Sequence, residues 1–179
     1  MKKIKNFAAV TTITMSFLAV CAFPSFAQTA KLTDPEIASI AVTSNQVDID
    51  QAAVAKERSK NPDVIHFAET MTNDHKAVIA QAVALVTKLK VTPKDNAVSK
   101  KLTADAAKTI ATLKTKSGKA FDKAYVDNEV AYHKAVISVV QGTLIPATTN
   151  AELKALLQKV VPALKAHLEH AEMVQKALK

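Results

Sequence analysis

Two glycines, one cysteine, no tryptophan and an aromatic content of 4% mark this chain of 179 residues. Two glycines are too few for nucleotide-binding loops, which need close backbone approach to phosphate. One cysteine excludes an internal disulfide framework and a cysteine-based zinc knuckle. Scarce aromatics and the lack of long β-branched runs argue against a sandwich or barrel. Arg58 is the single arginine, and with so few stacking aromatics a nucleic-acid partner is not expected. No Ser-His-Asp context, phosphate loop or dinucleotide fingerprint appears. What abounds is alanine, leucine, lysine and valine, a composition suited to long helices, in a length suited to one domain.

Residues 1–27 read as an export signal. Lys2, Lys3 and Lys5 form a charged start, Phe7 to Phe23 carries no charge, and Ser25-Phe26-Ala27 offers small residues at −3 and −1 of a cut before Gln28. The uncharged stretch is short for a membrane span. Cys21 as an acylated lipoprotein cysteine is disfavoured because bulky Val20 precedes it. Cleavage leaves 28–179 as the mature domain, without cysteine and with its charge lowered from +8 to +5 by the loss of three lysines. The periplasm is the expected destination, and an oxidising compartment suits a thiol-free protein.

The mature chain is punctuated for helices. Thr33-Asp34-Pro35-Glu36, Asn61-Pro62-Asp63 and Thr149-Asn150-Ala151-Glu152 are helix starts. Gly118 and Gly142 fall where periodic segments stop, and Pro93 and Pro146 fall in connections. These signals predict five helices, over about 34–60, 62–90, 99–117, 119–141 and 150–178. The expected fold is all-α: an up-down bundle of four long helices with an extra short helix at one side or end.

Apolar stripes recur at steps of three and four, for example Val64, Ala68, Met71, Val78, Ala82 and Leu85 in the second helix. Polar residues interrupt them. His75, His133 and His167 occupy stripe positions on three different long helices, Glu129 lies one turn before His133, and Asp48 borders the first helix's stripe. All lie near the middles of their helices, so one polar layer across the bundle centre is geometrically open. Unpaired polar groups there would cost roughly 1–3 kcal/mol each. A transition metal (Zn, Fe, Mn or Cu) held by His75, His133, His167, Glu129 and Asp48, with Asp74 orienting a ligand from behind, is one solution. A metal-free network of hydrogen bonds that sets helix register is the other. Inward Glu and His from facing helices also build di-iron centres, but the Glu-x-x-His spacing of those sites is absent. A di-metal oxidase or peroxide-consuming enzyme is therefore the minority reading, and a binding protein the main one.

Met71 reads as core filler, and Tyr125 and Tyr132 as packing with hydroxyls at the edge. His66 falls off the stripe and reads as surface; His170, one turn after His167, reads as rim. Pro162 inside the last helix frees a backbone carbonyl just before His167.

Three segments carry a resemblance: Phe67-Ala68-Glu69-Thr70-Met71-Thr72-Asn73-Asp74-His75, Phe121-Asp122-Lys123-Ala124-Tyr125-Val126 through His133, and Val161-Pro162-Ala163-Leu164-Lys165-Ala166-His167-Leu168. In order and spacing the chain resembles a family of exported bacterial proteins catalogued as a domain of unknown function. The resemblance spans about 32–178 and implies a ferritin-like bundle and an exported location, with no reaction attached. The family's Asp-His pair matches Asp74-His75, and its later histidines match His133 and His167. Tyr132 stands where the family often has an acid, and Asp48 where it often has a glutamate.

Segment 88–123 carries ten lysines against three aspartates. An anionic envelope surface is a conceivable partner for it, and a solvated lysine-rich face is the simpler reading.

Overall fold

The computed structural model describes residues 31–178, so the export signal expected over 1–27, Cys21 included, lies outside the described residues. Five helices carry the fold: α1 Asp34–Arg58, α2 Pro62–Leu89, α3 Ala97–Lys114, α4 Gly118–Val139 and α5 Ala151–Ala177. No strand occurs among the described residues.

Their starts follow from the capping residues. The Asn61, Asn96 and Asn150 side chains each accept from two backbone N–H groups of the turn that follows. At α1 the Glu36 carboxylate reaches back to the Thr33 N–H (3.0 Å) and hydroxyl (2.7 Å). α2 stops at Lys90, which takes the left-handed conformation (φ 53°) usually left to glycine or asparagine.

Three punctuation marks act differently from expectation. Gly118 opens α4 at φ +53° instead of closing α3. Gly142 does not end its helix: a π-turn over Val140–Leu144 carries the rod on through Ile145–Ala147. Pro146 thereby lies inside the continued rod and not in a connection, in its short last piece Ile145–Ala147.

End-to-end contacts set the directions. Near the start of α3, Lys94 N–H donates to the Pro35 carbonyl (2.9 Å) and the Asn96 amide to the Glu36 carbonyl (3.1 Å), both at the start of α1. Beyond the end of α3, the Lys116 carbonyl accepts from Arg58 at the end of α1 (2.9 Å). α3 therefore climbs α1 from outside, packing on α1 and not on its sequence neighbour α2. The five helices alternate up and down along the chain, and α3 acts as the crossover that brings α4 back beside α1. In the four-helix ring, α1 and α5 each lie between α2 and α4.

Asp34 closes the ring at one end. It accepts from the Thr149 N–H (2.9 Å), the Thr149 hydroxyl (2.5 Å) and the Asn150 N–H (2.9 Å) at the start of α5. Partial burial pushes its carboxyl up, but these bonds outweigh that and hold it below the usual aspartate range. A depressed carboxyl stabilises the fold above its unfolded value and loses that contribution as pH falls through its folded one. Asp34→Ala is expected to cost about 1–2 kcal/mol at pH 7 in a urea titration, with the deficit vanishing in strong acid.

The core is divided. One apolar cluster, with Phe67, Met71, Phe121, Tyr125 and Val126, fills the end of the bundle near the α1–α2 turn. A second, with Ile37, Ile40, Leu144, Leu153, Leu157 and Leu164, fills the end near Asp34. Polar side chains lie between them: Asp48, His75, Glu129, His133 and His167 are all buried.

Candidate metal centre

Each wall of the ring supplies one part of this layer. α1 presents Asp48, α2 His75, α4 Glu129 and His133, and α5 His167. The three imidazoles meet, with ring centroids 5.1 Å apart for His75–His167, 5.6 Å for His133–His167 and 5.8 Å for His75–His133. One nitrogen from each lies within 4.8 Å of the other two, and one ligand atom each of Asp48, Glu129 and His133 forms a second such group.

Hydrogen bonds behind the rings select which nitrogens face inward. The Asn45 amide donates to the Ala41 carbonyl (2.7 Å), which turns its oxygen toward His75, so His75 Nδ1–H donates to Asn45 Oδ1 (2.7 Å). His133 Nδ1–H donates to the Glu129 carbonyl (3.0 Å). His167 Nε2–H donates to Asp74 Oδ2 (2.9 Å). A neutral imidazole carries one N–H. The remaining nitrogens, His75 Nε2, His133 Nε2 and His167 Nδ1, therefore point bare lone pairs into the layer, and all three are buried without a hydrogen-bond partner.

They face acceptors. His75 Nε2 and His133 Nε2 lie 3.2 and 3.5 Å from Asp48 Oδ2, neither in hydrogen-bonding alignment. Both oxygens of Asp48 and both of Glu129 are likewise buried and unpartnered. Burial keeps the His133 and His167 rings below the ordinary histidine range, which favours their neutral forms. Burial, reinforced by Asp48, pushes the Glu129 carboxyl well above the ordinary range. Lone pairs converging on lone pairs need a proton or a cation between them.

The layer contains all five residues singled out from the stripes, with Asp74 hydrogen-bonded behind His167. Asp48 lies deeper than a stripe border: it is 0% exposed. Three features escaped the sequence reading. Asn45 orients His75, a role marked only by its position three residues before Asp48. Tyr132 donates its hydroxyl to the Ser44 carbonyl (2.8 Å), clamping α4 to α1 beside the layer. Tyr125 is fully buried instead of edge-exposed, with no partner for its hydroxyl, and burial with the nearby Glu129 and Asp48 carboxylates pushes that phenol well up. His170, read as rim, is half-buried and turns toward His66. A cleft walled by Ala38, Ala82, Val86, Val140, Leu153 and Leu157 leads from the imidazoles toward the Asp34 end.

The sequence profile described as "Domain of unknown function (DUF4142)" matches residues 21–174. No curated protein matches the chain. Among solved structures, CopM in the Cu(II)-bound form is similar, with a TM-score of 0.62 and 13% identity, over 84% of this chain and 100% of that one. At that identity the likeness concerns the fold.

Proposed function

The chain belongs to the DUF4142 family, and we propose that this member binds one transition-metal ion in the layer between its two apolar clusters. His75 Nε2, His133 Nε2 and His167 Nδ1 are the nitrogen ligands, Asp48 and Glu129 supply carboxylate oxygen, and Asp74 orients His167. The observation that carries this reading is the convergence of three bare imidazole nitrogens on unpartnered carboxylate oxygens. Such a donor set suits Zn(II), Cu(II), Fe(II) or Mn(II). The similar structure is Cu(II)-bound, which makes Cu(II) the first ion to try. The two groups of donors share His133, which favours a single ion, and no reaction is assigned: the reading is metal handling or protection from metal stress.

Metal reconstitution tests it. Chelator-stripped protein starting at Gln28, reloaded and desalted until only tightly held metal remains, is expected to carry one ion per chain by elemental analysis, and none after His75→Ala with His167→Ala. Sub-stoichiometric metal in the unaltered protein, with no change in melting temperature, would overturn it. Asp74→Ala frees the His167 tautomer and is expected to weaken binding about 10–100-fold in a chelator competition.

Export belongs to the same reading. The charged and apolar start of the chain supports a cleaved signal and a periplasmic site of action. The lysines of 88–123 are partly paired with acids, as in Lys101–Asp105 (2.5 Å) and Lys123–Asp127 (2.5 Å), so a solvated face is favoured over an envelope-binding one.

A further inference from the structure

We infer that His66 and His170 form a second, solvent-facing metal site, distinct from the interior centre. His66 on α2 is exposed and His170 on α5 is half-buried. Their ring centroids lie 6.1 Å apart across the α2–α5 seam, with the planes inclined by 58°. The His170 ring stands nearly perpendicular to Phe67, centroids 5.1 Å apart at 84°. Phe67 is 0% exposed and itself wedged in the core, so it gives His170 a fixed backing. His66 has the free side of the pair.

Two imidazoles from different helices at this separation suit one borderline ion, with water filling the remaining positions. Such a site is open to exchange, whereas the interior donors are buried. His66 stands nine residues before His75 on α2, an axial rise of about 13.5 Å, and Phe67 with its apolar cluster lies between, so the surface pair and the interior centre are separate sites. The inference stands on the His66–His170 geometry alone.

Cu(II), supplied as its glycine complex, is the probe. The unaltered protein is expected to bind two Cu(II) per chain in two affinity classes, distinguished by equilibrium dialysis and by their electron paramagnetic resonance spectra. His66→Ala with His170→Ala removes the weaker class and leaves the tighter one. His66→Ala alone, at an exposed position, weakens the same class without touching the core. Retention of both classes in the double variant, or a single class in the unaltered protein, overturns the surface site. If His75→Ala with His167→Ala removes no class while the surface class persists, the interior reading fails and the surface site stands.

Discussion

Saturating the metal-free protein with Cu(II) or Zn(II) is expected to raise its melting temperature by about 5–11 °C. A ligand that binds only the folded state stabilises it by about 2.7 kcal/mol at a hundredfold excess over its dissociation constant. For a chain of this size each kcal/mol shifts the midpoint by about 2–4 °C. The gain comes from groups that are costly when empty: among the described residues nine buried side-chain atoms lack a partner, and seven of them belong to the five proposed ligands. At metal levels that fill only the tighter class, His75→Ala with His167→Ala should abolish the shift in differential scanning calorimetry. A shift that survives this variant would place the ion elsewhere. A metal-free network that merely sets register predicts a different outcome: His133→Leu would keep or raise stability, and added metal would leave the midpoint unchanged.

Glu129→Gln should act with opposite signs in the two states. Burial and the adjacent Asp48 raise the folded carboxyl above its unfolded value. A raised carboxyl contributes stability that is present at low pH and is lost as pH rises from the unfolded value, near 4.5, toward the folded one. His133 and His167, whose folded values are lowered, act the other way. The unfolded chain takes up their protons below about 6.5, and the folded protein is penalised as pH falls from there. The metal-free protein should therefore lose stability toward acid through the two histidines and toward alkaline pH through Glu129. The substitution removes the alkaline loss, because the amide can donate to Asp48 without a charge to bury. It is expected to stabilise the metal-free protein by about 1–4 kcal/mol at pH 8 and to change little at pH 4.5. In the metal-loaded protein it should destabilise, since an ionised oxygen near the ion is lost. Superimposable pH–stability curves for the two metal-free proteins would refute the assignment of Glu129 as an uncompensated carboxyl.

Ion uptake should also release a proton when Glu129 ionises, readable as a dependence of the calorimetric heat on the buffer's ionisation enthalpy. His133 and His167, held neutral by burial, contribute no such release at pH 8, since their outer nitrogens hold the only ring protons in the bonds to the Glu129 carbonyl and Asp74.

How much of this was legible beforehand differs from residue to residue. Asn61, Asn150 and Glu36 announced helix starts because capping is a local interaction, closed within three or four residues. The polar layer was legible because a helix rises by a constant step, so a residue's height follows from counting along its rod. Gly142 misled because a glycine stops a helix only where the chain turns away; here the backbone widened into a π-turn and went on. Lys90 carried no signal for its left-handed cap, which the path from α2 toward Pro35 imposes.

Sequence alone determined that this is an all-α bundle of five rods, and which side chains interrupt the apolar stripes, since periodicity and capping act over one or two turns. Only the tertiary structure decided that α3 climbs α1, that Asn45 and Asp74 choose the imidazole tautomers, and that His170 faces His66. Those outcomes depend on how the rods rotate about their own axes and which lie side by side. Contacts between residues as far apart as 30 and 93 positions carry that information, and no local pattern encodes it.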